Sequence, residues 1–172
     1  MKKGRGGKPS TMRANAITRI AVERLTGQKD SGYSSAAMLR GIELEPMARD
    51  AYSFENRVAV LEIGCVSRDD MPYAICSPDG LVGEDGLVEI KCPNTKQHVD
   101  FLLTEKIDKK YIFQMQWQMA CTGRIWCDYV SYDPRLPIEM QLAIKRVERD
   151  NKLIKEIEGE VQNFNRELDE MH

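Results

Sequence analysis

Apolar residues recur with a helical period at both ends of the chain and with a strand period in its middle. From Thr11 to about Leu25 the spacing predicts a helix, capped by Ser10 or Thr11 and closed by Gly27. A second helix is expected from about Ser34 to Phe54, with Met38, Leu39, Ile42, Met47, Ala48 and Ala51 as its apolar positions. Pro46 lies inside that stretch and predicts a kink or a restart. Residues 58–66 form a nearly continuous apolar run that reads as a strand, followed by a polar turn from Ser67 to Pro72. Thr95 is expected to cap a helix reaching Lys106, and another helix runs from Lys110 to Thr122 and ends at Gly123. Strands over residues 125–132 and 138–145 flank the turn Asp133-Pro134-Arg135. The chain closes with a helix from about Arg149 to Met171, its stripe made by Leu153, Ile154, Ile157, Val161, Phe164 and Leu168. Helices before and after a run of strands predict an α/β (α+β) domain, a mixed central β-sheet flanked by helices. The division expected is a basic flexible tail over residues 1–10 and a single domain over 11–172.

Between the third and fourth helical or strand segments lies Cys76-Ser-Pro-Asp79-Gly-Leu-Val-Gly-Glu-Asp-Gly-Leu-Val-Glu89-Ile-Lys91-Cys-Pro93, two short strands joined by a turn. Strand side chains alternate, so Glu89 and Lys91 share one face while Val88 and Ile90 enter a core. Asp79 joins that face only if it lies opposite Glu89 or opposite Lys91. The first register leaves the loop 83–85 and the second leaves 83–87, and Asp85-Gly86 offers the positive-φ residue such loops use. A four-residue loop without a bulge would turn Asp79 away. Two carboxylates and an ammonium on one face suit a divalent cation and a phosphodiester. A solvated charged hairpin is the plainer reading of the same residues.

Composition narrows the classes. No apolar run approaches the ~18 residues that a membrane span needs. Cys65, Cys76, Cys92, Cys121 and Cys127 form no Cys-x-x-Cys, so reduced thiols in the cytoplasm are expected rather than a disulfide framework. With His98 and His172 as the histidines, histidine-based metal sites and triads have little support. Net charge is −2, but the first 30 residues hold eight Lys and Arg against Glu23 and Asp30, so the rest carries −8. That basic arm, including Arg13, fits phosphate contact or a solvated tail equally.

Pro78-Asp79 followed by Glu89-Ile90-Lys91 matches the PD-(D/E)xK pattern, which is short and weak alone. Further motifs follow in order: Arg40-Gly-Ile-Glu-Leu-Glu45, Cys76-Ser-Pro-Asp-Gly-Leu, Glu89-Ile-Lys-Cys-Pro, Tyr111-Ile-Phe-Gln114-Met-Gln116, Tyr132-Asp-Pro-Arg135 and Val147-Glu-Arg-Asp150. Together they resemble the lambda-exonuclease family, also called YqaJ-type viral recombinases, within the PD-(D/E)xK nuclease superfamily. The resemblance implies a restriction-endonuclease-like core and a site for Mg²⁺, two ions with Mn²⁺ as a substitute. It makes Asp79, Glu89, the Ile90 carbonyl and Glu45 the metal's protein ligands or water-shell partners. Lys91 would orient or activate the attacking water, with a pKa that burial near the metals lowers. Gln114 would hold the water or phosphate network; Gln116, two residues on, cannot share its helix face. Ser77, Lys96 and Arg13 are the candidate phosphate contacts. Cys76 and Cys92 read as small buried residues, with an iron–sulfur ligand as a remote option. Trp126 and Tyr129 beside Arg124 suit strand-core packing better than base stacking.

The activity implied is exonucleolytic digestion of one strand of linear duplex DNA, 5′ to 3′, leaving 3′ single-stranded tails for phage-type recombination. A homotrimeric ring, a single-strand-annealing partner protein and a phage- or prophage-encoded protein in a bacterial cytoplasm come with the same resemblance. Family members usually begin with a further segment that holds the 5′-phosphate end, and this sequence starts after it. An endonuclease or nickase, and an inactive DNA-binding subunit lacking that segment, are the competing expectations.

Overall fold

The computed structural model describes residues 11–27 and 35–170, leaving the expected tail over 1–10 and the Ser10 cap outside the described residues. The chain divides into two compact units, one running from Ser34 to Ile154 and the other formed by its two ends. In the unit of the two ends, Ile17 and Ala21 of helix α1 (Thr11–Thr26) bury against Leu168, with Ile20 and Phe164 beside them. Leu168 and Phe164 belong to helix α5 (Asn151–Asp169), and both pairs sit four residues apart, the spacing that puts side chains on one helix face. Gly27 ends α1 in the left-handed conformation at φ 64°, as the sequence predicts.

The larger unit is built on a five-stranded mixed sheet. Its strands are β1 (Val60–Leu61), β4 (Gly80–Val82), β5 (Gly86–Lys91), β6 (Trp126–Tyr132) and β7 (Leu142–Glu148), in the order β1-β4-β5-β6-β7. Only β5 and β6 run parallel, and the crossover between them contains α3 (Thr95–Thr104) and α4 (Lys109–Thr122). A separate two-stranded ribbon pairs β2 (Val66–Ser67) with β3 (Ile75–Cys76). Alternation along β5 sorts the core into two layers. Val88 and Ile90 join Val82, Val130, Tyr132 and the α2 (Ala36–Asn56) residues Ala48 and Tyr52 on one side. Leu87 joins Cys127, Tyr129, Phe101 of α3, and Met115 and Met119 of α4 on the other. Helices thus cover both faces of a mixed sheet, the expected fold class.

Several local expectations are corrected. Residues 58–66 do not form one strand: Val60–Leu61 pair with β4, Val66–Ser67 pair with β3, and Gly64 lies in the gap. α2 continues through Pro46 as one helix, then stops at Arg57 in the left-handed region at φ 53°. Asn94, rather than Thr95, caps α3 by accepting from the Gln97 N–H. Residues 138–140 form a 3₁₀ turn before β7, which therefore starts and ends later than the sequence suggests. Tight packing explains two glycines. A Cβ on Gly80 would lie 2.2 Å from Val60 Cγ1, and one on Gly86 would lie 2.0 Å from the Trp126 ring.

Candidate active site

The β4–β5 hairpin has the shorter of the two expected loops. Gly80 pairs with Val88 and Val82 with Gly86, so residues 83–85 form the turn and the register continues Asp79 opposite Glu89. Gly83 supplies the positive φ at 55°, in place of the predicted Asp85-Gly86. Arg124 Nη1 donates to the carbonyls of Gly83 and Gly86, both at 2.8 Å, which secures the loop. Arg124 is thereby a hairpin clamp. Trp126 carries the Arg146 guanidinium 3.6 Å from its ring centroid, and Tyr129 is buried between Phe101 and Tyr111.

Asp79, Glu89 and Lys91 meet where this hairpin faces α4. Asp79 Oδ2 accepts the Ile90 N–H at 2.7 Å, fixing the aspartate against β5. Glu89 is fully buried, with Lys91 Nζ donating to its Oε1 and Gln118 Nε2 donating to its Oε2 at 2.6 Å. Glu45 comes from α2, where Arg49 donates to it at 2.5 Å and reaches Glu62 at 3.0 Å. Glu45, Asp79, Ile90 and Lys91 all line one cleft of about 760 Å³, with Arg40, Lys106, Lys110 and Tyr111 among its other walls. Tyr111 lies under two ammonium groups, Lys110 at 4.6 Å and Lys91 at 5.1 Å from its centroid. Arg40 crosses from α2 to the end of β5, donating to the Cys92 carbonyl at 3.0 Å and to the Pro93 carbonyl.

The carboxylates oppose one another. Burial raises the pKa of Glu89, and the Asp79 charge raises it further against the pull of Lys91 and Gln118. Asp79 is raised by burial against the Ile90 N–H, Lys91 and Arg49. Glu45 is raised by burial and then by Asp79. Burial pulls the Lys91 pKa down, but Glu89 and Asp79 outweigh it and the net direction is up.

Three carboxylates whose pKa burial raises, Glu45 and Glu89 further through the Asp79 charge, are a donor set that a hard divalent cation would relieve, and all their donor atoms are oxygen. Among the described residues no group of three or more His, Cys, Asp or Glu forms a ready-made cage. Mg²⁺ does not demand one, since it keeps several waters and takes one or two carboxylates beside substrate phosphates. The residues present therefore fit such an ion.

The remaining predicted residues are scattered. Gln114 is exposed; it shares a helix face with Gln118 one turn on, and Gln118 is the glutamine that touches Glu89. Gln116 instead bridges the Glu148 carbonyl at 2.7 Å and the Asp150 N–H at 2.8 Å, joining α4 to the start of α5. Ser77 is exposed beside Asp79, and its carbonyl accepts from Gln118 at 3.4 Å. Lys96 turns outward to Asp100 at 2.9 Å and does not line the cleft. Arg13 lies in α1, its side chain outside the described residues. Cys76 is buried, and half-buried Cys92 packs against the α2-side core with its thiol pushed up to about 11 by burial. Gln118, Arg40 and Tyr111 join the site without a role that the sequence predicts. Spacing held a signal for the first, because Gln118 stands four residues after Gln114 in a helix rich in Met and aromatic residues.

The YqaJ-like viral recombinase domain matches residues 5–125, the whole of this hairpin and helices α2 to α4 included. The chain belongs to that family. It is 49% identical to an alkaline exonuclease, LHK-Exo, from Laribacter hongkongensis, over 94% of this chain and 82% of that one, with a TM-score of 0.90. LHK-Exo in complex with dAMP superposes at 0.89 over the same shares and at the same identity. A phage-related exonuclease from Haemophilus somnus 129PT shares the fold at a TM-score of 0.73 and 18% identity, over 99% of this chain and 91% of that one. A search of curated proteins finds no match. Among the described residues no helix is long and apolar enough to cross a membrane.

Proposed function

We propose that this member of the family is a divalent-metal-dependent exonuclease acting on linear duplex DNA. It would digest one strand from 5′ to 3′, release mononucleotides and leave 3′ single-stranded tails for recombination. The observation that carries this reading is the meeting of Asp79, Glu89 and Lys91 on one sheet face, with Glu45 on the same cleft. Its near relative of solved structure is an alkaline exonuclease, and that protein takes dAMP, a mononucleotide.

In the hydrolysis, water attacks phosphorus, the bond to the 3′-oxygen of the terminal nucleotide breaks, and the next nucleotide keeps the 5′-phosphate. Bound Mg²⁺, held by Asp79, Glu89, the Ile90 carbonyl and Glu45, would offset phosphate charge and stabilise the leaving oxygen. Lys91, held by Glu89, orients or activates the attacking water and balances charge on the crowded phosphorus. Arg40, Lys106 and Lys110 offer the phosphate backbone basic groups on the cleft wall, beside Asp100 and Asp108. Ser77, exposed beside Asp79, would contact a terminal phosphate in this reading. A homotrimeric ring and a single-strand-annealing partner belong to the same proposal and rest on the family resemblance.

The test uses 5′-labelled linear duplex and matched closed circular DNA with Mg²⁺, Mn²⁺ or EDTA. Release of labelled mononucleotide from the linear form alone, abolished by EDTA, is the expected result. Cutting of the circle would move the activity to an endonuclease, and release from the 3′ end first would reverse the polarity.

A further inference from the structure

Helix α4 meets the strand edge through three consecutive contacts. Trp117 Nε1 donates to the Ile75 carbonyl at 3.0 Å, and Gln118 Nε2 donates to both the Ser77 carbonyl at 3.4 Å and Glu89 Oε2 at 2.6 Å. Gln118 is 1% exposed and its helix neighbours Met115 and Met119 are fully buried, so an apolar side chain would suit the position as packing. Burying an amide there costs free energy unless both its ends are hydrogen-bonded, and here only the NH₂ end is. Both of its partners are acceptors, a carboxylate and a carbonyl, so the NH₂ group must face them and a flipped amide would set oxygen against oxygen. The amide oxygen is then left buried without a hydrogen-bond partner among the described residues.

We propose that Gln118 is a positioning residue for the hydrolysis: one neutral amide fixes the Glu89 carboxylate and ties it to the segment that carries Asp79. Glu89 is gripped at both oxygens, by the Lys91 ammonium at Oε1 and by Gln118 at Oε2, so rotating the carboxylate breaks both contacts. Through the Ser77 carbonyl at 3.4 Å, two residues before Asp79, the same amide links Glu89 of β5 to the segment that enters β4. Its neutrality matters. A lysine or arginine at this position would hold Glu89 equally well but would compete with a cation for its charge, whereas an amide leaves that charge available. This role rests on the metal-dependent reading above.

The experiment compares wild type with Gln118→Met, which keeps length and packing, and Gln118→Glu, which keeps shape but removes the donor. Mn²⁺ binding to the DNA-free protein is followed by electron paramagnetic resonance of the free ion, beside the Mg²⁺ dependence of linear-duplex digestion and the melting temperature. Loss of a hydrogen bond to a metal-binding carboxylate typically weakens metal affinity about tenfold or more. Gln118→Met is therefore expected to weaken Mn²⁺ binding by that factor and to raise half-saturating Mg²⁺ in step, with cooperative melting retained. Gln118→Glu is expected to lose at least as much. Wild-type Mn²⁺ affinity and Mg²⁺ dependence in either folded variant would overturn the inference and leave Gln118 a packing residue. A wild type that neither binds Mn²⁺ nor digests linear duplex would instead defeat the functional reading itself, and this inference with it.

Discussion

Asp128 joins three elements through one buried carboxylate, and replacing it by alanine should be among the costliest single changes outside the cleft. Its Oδ2 accepts the Tyr52 hydroxyl at 2.8 Å, while Arg146 grips both oxygens at 2.8 and 2.9 Å. The two partners contribute unequally. The Arg146 side chain is 49% exposed, so once freed it can turn to water, and its half of the network contributes only ~1 kcal/mol, as exposed pairs do. Tyr52 is 1% exposed and has no such escape, so its stranded hydroxyl costs ~1–3 kcal/mol. Asp128→Ala should therefore lose ~3 kcal/mol, and Tyr52→Phe, which strands nothing on the tyrosine side, nearer ~1 kcal/mol. Urea unfolding of the two single variants and the double variant measures this directly. The double variant should fall well short of the sum of the singles, because the stranded hydroxyl is absent from it. Tyr52 stands two helical turns after Glu45 on α2, so Asp128→Ala should also reduce digestion, by less than a change in the cleft. A loss below ~1 kcal/mol for Asp128→Ala, or strictly additive singles, would refute the reasoning.

Gly86→Ala drives a Cβ to within 2.0 Å of a Trp126 ring already covered by Arg146, and should cost ~1–3 kcal/mol by overpacking. Gly83→Ala, where the Cβ meets nothing but φ is 55°, should cost ~1 kcal/mol, so a thermal melt that reversed their order would contradict the packing argument. Two charge-assisted bonds from Arg135, at 2.7 and 2.8 Å, lower the pKa of Asp133 well below its ordinary 3.8. A lowered carboxyl pKa adds stability that is complete above the ordinary value and is lost as pH falls through the folded one. Asp133→Asn should accordingly flatten the acid side of the stability–pH curve below about pH 4, and an unchanged acid limb would count against the pair.

Much of this arrangement was legible because alternation and register are arithmetic. Val88 and Ile90 against Glu89 and Lys91 declare the two faces of β5, and that strand, like β6, contributes to both cores. Helices α1, α2 and α4 also carried their stop or cap signals within a residue or two. What stayed hidden depended on partners distant in sequence. Residues 58–66 are apolar enough for one strand, but whether they pair with β4 or β3 is settled by tertiary contacts. The tyrosine–aspartate–arginine network joins positions 52, 128 and 146, and nothing local marks them. The motif ends before Gln118 and so points to Gln114, although both lie on one helix face. Position along the chain brings Lys96 near the end of β5, but α3 turns it outward to Asp100.

The central claim is that Asp79, Glu89 and Lys91 perform hydrolysis rather than hold the sheet edge together or simply bind DNA. The most direct measurement is Lys91→Ala set beside wild type, with digestion of linear duplex in Mg²⁺ and binding of the same duplex in Ca²⁺ followed on one preparation. Lys91 touches Glu89 and lines the cleft, so digestion should fall by two orders of magnitude or more, with DNA affinity within a few-fold of wild type and cooperative melting retained. Digestion at the wild-type rate by the folded variant would contradict the account.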